Sequence, residues 1–111
     1  MTHEEYAIHV QKFTSEMQRI TAAKNKDYSA GTADAMYDYY STAERAGITP
    51  VQSWFVLMMK HVHAVERYVK TGDLSSETID SRLLDLANYA MLGAALIKDL
   101  LHGEDDCNAK G

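Results

Sequence analysis

The sequence has one cysteine, Cys107, set in a polar C-terminal stretch. A single cysteine makes no internal disulfide and no cysteine-based metal site, and it points to a reducing, cytoplasmic setting. No apolar run comes near the roughly 20 residues that span a bilayer. The opening MTHEEYAIHV lacks the basic-then-apolar order of a signal peptide. Positive charge is also scarce, with 11 Lys and Arg against 16 Asp and Glu and a formal net charge of −5. A general grip on DNA or RNA needs clustered Lys and Arg, so neither a nucleic-acid polymer nor a membrane is an expected partner. A small anionic ligand stays open, because it needs only a few local cations or a metal held by carboxylates. There is no hairpin dipeptide and no alternating apolar–polar run, so no β signal competes. Internal repeats and low-complexity segments are absent too.

The 111 residues, 46% hydrophobic and 24% charged, fit a single soluble domain. We expect it over residues 1–103, with 104–111 as a flexible polar tail. Helical periodicity runs through the chain. From Glu4 to about Ala23, Tyr6, Val10, Phe13, Met17 and Ile20 recur at spacings that mark one helix face, and Thr2 with Glu5 fits a capping box. A second helix is expected over about 33–46, stopped by Gly47. In ITPVQSW, Thr49 is a candidate N-cap, Pro50 the first helical residue and Gln52 the partner in a T-x-x-Q box. That third helix should run to about Thr71 and stop at Gly72. A fourth is expected from near Ser76 to about His102, apolar around most of its circumference, as in a central or interface helix. The expected fold is all-α and resembles a four-helix bundle. The short 72–75 link makes helices three and four antiparallel neighbours.

Polar residues interrupt this pattern in two rows. Lys60, His63 and Arg67 share a face of helix three, and Glu77, Ser81, Asp85 and Asn88 share a face of helix four. Asp85 and Asn88 stand inside LLDLANYAMLGAAL, where a charge is costly unless paired, hydrogen-bonded or bound to a ligand. In an antiparallel hairpin the basic row can face the acidic one. The same residues also fit a plainer account, in which the basic row is a solvated face, Asp85 pairs with Arg67 or Lys60 to fix register, and His61 or His63 is structural. The tyrosines of YDYY suit core and rim positions, and a tyrosine ring also stacks on any nucleobase.

The segments KNKDYS, GITP, KHVHAVERY and SSETIDSRLLDLANYAMLGAAL, in that order, resemble the nucleotide-modification-associated domain 1 group of small phage and bacterial proteins, also called the domain of unknown function 1599. More distantly they resemble the all-α nucleotide pyrophosphohydrolases of the MazG and dimeric dUTPase kind. The likeness covers roughly residues 20 to 98. It implies MazG-like helical hairpins that form a homo-oligomer, with a nucleotide pocket between helices and carboxylates holding Mg²⁺ on the phosphates. Carried over by position, Lys24, Asn25, Asp27 and Tyr28 match the loop motif and Lys60 a basic position. Glu77, Asp85, Asn88 and Tyr89 match the helix-four motif. The resemblance thus implies ligand contacts from Lys24, Asn25, Asp27, Tyr28, Lys60, Asn88 and Tyr89, and metal contacts from Glu77 and Asp85; His63 and Arg67, which share the helix-three face of Lys60, join them as candidate ligand contacts.

The sequence departs from the group where its metal chemistry would sit. Ser81 occupies a position usually acidic, and Asp80 is displaced by one residue, about 100° around a helix. His63 stands where Arg is usual. On one helix Glu77 and Asp85 would be about 12 Å apart, too far to share one ion easily. Three expectations follow. One is metal-dependent hydrolysis of a (deoxy)nucleotide in phage nucleotide metabolism, in the host cytoplasm. Another is a non-catalytic sponge that sequesters a cyclic dinucleotide or cyclic ADP-ribose signal of antiviral defence. The third is a structural helical interaction module.

Overall fold

The protein is all-α. A computed structural model describes residues 1–28, 34–73 and 77–110, with side chains described for 1–24, 34–73 and 77–102. Among the described residues four helices follow in chain order: α1 (His3–Tyr28), α2 (Tyr37–Ala46), α3 (Pro50–Thr71) and α4 (Ile79–Lys110). Among the described residues there is no strand.

α3 begins and ends where the sequence places it. The Gln52 amide donates to Thr49 Oγ1 at 3.1 Å and the Thr49 amide to Gln52 Oε1 at 2.9 Å, so both arms of the capping box are made. Gly47 and Gly72 close α2 and α3 in the left-handed region, with φ of 70° and 73°. At the start of α1 the Glu5 amide donates to Thr2 Oγ1 at 3.0 Å.

Four boundaries differ from expectation, three of them for a local reason. α1 does not stop near Ala23 but runs through KNKDY to Tyr28. Lysine is a good helix former, and the first glycine in this region is Gly31. α2 starts four residues later than expected. Asp34 Oδ1 accepts the Met36 amide at 2.9 Å, a local turn that keeps 34–36 out of the helix. α4 starts at Ile79 because Thr78 caps it, its Oγ1 accepting the Ser81 amide at 3.2 Å. Glu77 therefore precedes the helix instead of sharing its face with Ser81, Asp85 and Asn88. The α4 backbone then continues through the polar 103–110 stretch.

α3 and α4 lie antiparallel, as contacts from Trp54 to Tyr89 and from His61 to Arg82 converge toward the 72–78 link. The core is Met36, Tyr39 and Leu96, packed by Tyr40, Val51, Trp54, Leu57, Leu92 and Leu100. Gly93 allows a close approach. A Cβ built there would lie 2.3 Å from Trp54 Cζ2, so the indole rests directly on the α4 backbone. In that position Trp54 Nε1 donates to the Tyr89 carbonyl at 2.7 Å.

α1 crosses antiparallel to α4, since Thr21 meets Asn88 and Lys24 meets Asp85. The apolar circumference of α4 is only partly used. Leu96 is fully buried, but Leu83, Met91, Ile97 and Leu101 are exposed, as are Tyr6, Ile8 and Val10 on α1. The molecule is long, 55 × 31 × 25 Å, with a radius of gyration of 16.9 Å, against about 13 Å for a compact 100-residue domain. Among the described residues no helix is long and apolar enough to cross a membrane.

Candidate functional site

The four helices enclose a cavity of about 530 Å³, within the roughly 300–1,000 Å³ usual for small-molecule pockets. α1 supplies Thr21 and Lys24, and α2 supplies Asp38 and Tyr39. Leu57, Lys60 and His61 come from α3, and Arg82, Asp85, Asn88, Tyr89 and Leu92 from α4. Glu77 joins them from the turn before α4. The spacing on α4 explains the set. Arg82, Asp85, Tyr89 and Leu92 recur at 3, 4 and 3 residues, one helix face.

Asp85 is the hub. Its side chain is 15% exposed, with Oδ1 3.2 Å from Lys24 Nζ and Oδ2 3.5 Å from His61 Nδ1. His61 is buried, 5% exposed, and its ring stands 5.2 Å from that of Tyr89. Arg82 Nη1 lies 3.1 Å from the same Nδ1. A guanidinium only donates, so Nδ1 accepts and the imidazole proton sits on Nε2. His61 is therefore neutral, and its approach to Asp85 is not an ion pair. Burial depresses the His61 pKa and the Arg82, Lys60 and Lys24 charges add to this, outweighing the opposing pull of Asp85. Arg82 Nε is 3.3 Å from Glu77 Oε2, in charge contact but without hydrogen-bond alignment. Ser81 Oγ lies 3.3 Å from the same carboxylate oxygen and donates to it. Burial, with Tyr89 and Asp38 nearby, raises the Tyr39 phenol well above its ordinary pKa, so it stays protonated.

Asn88, 4% exposed, is the buried amide of the wall. Its side-chain oxygen is in hydrogen-bond contact with Thr21 Oγ1, and its nitrogen has no partner. Thr21 Oγ1 also donates to the Met17 carbonyl at 2.9 Å. A hydroxyl has one proton. If it goes to Met17, Thr21 must accept from Asn88, which turns the amide nitrogen toward Thr21 and leaves the oxygen unpaired. In either orientation one buried amide atom on the cavity wall lacks a partner, a costly state that a ligand group can relieve.

The sequence-derived residues divide clearly. Lys24, Lys60, Glu77, Asp85, Asn88 and Tyr89 all line the cavity. His63 and Arg67 are exposed and do not. The face of α3 turned to α4 carries Trp54, Leu57 and His61, and His63 lies about 200° past His61 on the helix. The side chains of Asn25, Asp27, Tyr28 and Cys107 lie outside the described residues. Asp80 is exposed and off the cavity wall, and Ser81 contributes only its bond to Glu77. Sequence reasoning overlooked Arg82, Asp38 and Thr21, weighed Tyr39 only as one of the YDYY tyrosines, and treated His61 as a structural residue. The 3–4 spacing of Arg82 to Asp85 and Tyr89 was the available signal.

Mg²⁺ needs near-octahedral oxygen ligation, commonly from one or two carboxylates together with phosphate and water. Here Asp85 faces Lys24 and Glu77 faces Arg82, so a metal would have to displace two protein cations. Among the described residues no group of three or more His, Cys, Asp or Glu gathers in a metal-holding cluster. This donor set does not fit a preformed Mg²⁺ site, and we derive no step through one. What the arrangement offers is cations for an anion, a buried amide for a hydrogen bond, and Tyr89, Leu57 and Leu92 as flat or apolar wall. No protein-family model, curated protein or solved structure matches the chain.

Proposed function

We propose that the chain is a nucleotide-binding protein that holds its ligand intact in the cavity between its four helices. The observation that carries this reading is the unpaired buried amide of Asn88, set in the same wall as Lys24, Lys60 and Tyr89. A base or ribose edge supplies the missing hydrogen bond, the ring stacks or packs on Tyr89 and Leu57, and phosphate meets Lys60. The likeness of KNKDY and DLANYA to the nucleotide-modification-associated group supports the same ligand class, and with it a phage setting. Sequestration is favoured over hydrolysis because two of the three described wall carboxylates, Asp85 and Glu77, already face protein cations. The exposed apolar residues Leu83, Met91, Ile97 and Leu101 support packing of the bundle into a homo-oligomer.

The test is to incubate the full chain with pooled nucleotides, cyclic dinucleotides and cyclic ADP-ribose species, with Mg²⁺ or with EDTA. Unbound material is removed, the protein is heat-denatured, and the released molecules are identified by mass. Intact nucleotide released equally in both conditions is the expected result. Monophosphate and pyrophosphate formed only with Mg²⁺, and lost in Asp85→Asn, would establish a hydrolase instead. Release of nothing, with no ligand raising the melting temperature, would leave a helical interaction module.

A further inference from the structure

The charge of the cavity narrows the ligand. Its wall carries three cations, Lys24, Lys60 and Arg82, and three carboxylates, Asp38, Glu77 and Asp85. His61 adds no charge, since its Nδ1 lone pair takes an Arg82 N–H. Two of the cations are committed, Lys24 to Asp85 at 3.2 Å and Arg82 to Glu77 at 3.3 Å. Among the described residues, Lys60 alone of the cavity cations has no carboxylate within ion-pair distance. It is also exposed at the mouth. Recruiting Lys24 for a ligand would strip the largely buried Asp85 of its cation, and an unpaired buried carboxylate is costly. The described part of the wall therefore has about one cation to give.

We propose that the cavity selects a nucleotide of low charge, a nucleoside monophosphate or a phosphodiester, over a nucleoside triphosphate. The inference rests on the reading of the cavity as a nucleotide site. A phosphomonoester carries about −1.5 to −2 at neutral pH and a phosphodiester about −1, which Lys60 and solvent at the mouth can meet. A triphosphate brings further negative charge against Asp38, Glu77 and Asp85, with no second uncommitted cation among the described residues of the wall to receive it.

The experiment measures affinity by calorimetry for the full chain, in EDTA and at fixed ionic strength. For each of the four common bases the probes are the nucleoside, the 5′-monophosphate, the 3′,5′-cyclic monophosphate and the triphosphate. The expected result is that a monophosphate or cyclic monophosphate binds at least about tenfold more tightly than the triphosphate of the same base. Lys60→Gln should remove the advantage of that monophosphate over its nucleoside, with the helical circular dichroism and melting temperature of the variant kept as folding controls. A triphosphate that binds equally or more tightly overturns the proposal and leaves the nucleotide reading standing. A Lys60→Gln variant that folds and keeps the full preference overturns the assignment of the single free cation. If no member of any series binds, the nucleotide reading itself fails and the proposal with it.

Discussion

The contact between Gly93 and Trp54 can be tested by adding one methyl group. In Gly93→Ala the new Cβ would lie 2.3 Å from Trp54 Cζ2, 2.5 Å from Cε2 and 2.9 Å from Nε1. The indole must move by about an ångström or more to restore van der Waals separation. Overpacking of this kind costs about 1–3 kcal/mol. The displaced ring also weakens its bond to the Tyr89 carbonyl, a further ~1 kcal/mol. Against this, alanine in a helix interior is better than glycine by about 1 kcal/mol. The balance is a loss of about 1–3 kcal/mol, or a fall in melting temperature of roughly 4–12 °C for a domain of this size. Trp54 is the only tryptophan, so its fluorescence reports the displacement directly while circular dichroism follows unfolding. In a Trp54→Phe background the penalty should shrink, because the clashing atoms belong to the part of the indole that phenylalanine lacks. A Gly93→Ala protein as stable as its parent, with unchanged tryptophan emission, would refute the packing described for α3 on α4.

Other outcomes follow from single contacts. The depressed pKa of His61 means that the unfolded chain takes up this proton before the folded one does. Stability should therefore fall as pH drops below about 6.5, and His61→Gln should flatten that part of a urea-denaturation pH series. Thr49→Ala removes an arm of the α3 capping box and should cost about 1 kcal/mol, read from the urea midpoint. Tyr40 donates to Asp99 at 2.8 Å, and burial together with this bond pushes its phenol up to about 12. In Asp99→Asn the phenolate should appear at lower pH in an absorbance titration. In the parent the stabilisation should persist below the ordinary tyrosine pKa of about 10 and be lost as pH rises through the folded value.

The readable parts of the sequence were those set by neighbours in the chain. The T-x-x-Q box at Thr49, the stops at Gly47 and Gly72 and the antiparallel α3–α4 pair needed only local chemistry and a short link. Asp85 and Asn88 were legible as well, because a charge and an amide inside an apolar run need partners. Their partners were not. Which residue meets Asp85 depends on how α1 lies across α4 and how α3 is rotated, and the answer is Lys24 and His61 in place of Lys60 or Arg67. A row read from i, i+3 and i+7 also has no fixed direction until its helix is packed. The apolar anchors Trp54 and Leu57 turned the α3 face so that His61 went in and His63 stayed out. The start of α4 shifted because Thr78 competed with upstream residues as the cap, and that alone moved Glu77 off the helix.

The crossing of α1 over α4 has a kinetic consequence. Thr21 meets Asn88 across 67 residues of chain, and Lys24 meets Asp85 across 61. Contacts this distant in sequence carry a large loop-closure penalty, whereas α2, α3 and the α3–α4 pair can assemble from shorter range. The wall formed by α1 should therefore close last on the folding pathway and be weakly formed at the rate-limiting barrier. A ligand that bridges α1 and α4 would then stabilise the native state more than the barrier, lowering the unfolding rate while leaving the folding rate almost unchanged. Occupancy would act as a brake on opening, so an occupied molecule would outlast an empty one under protease challenge.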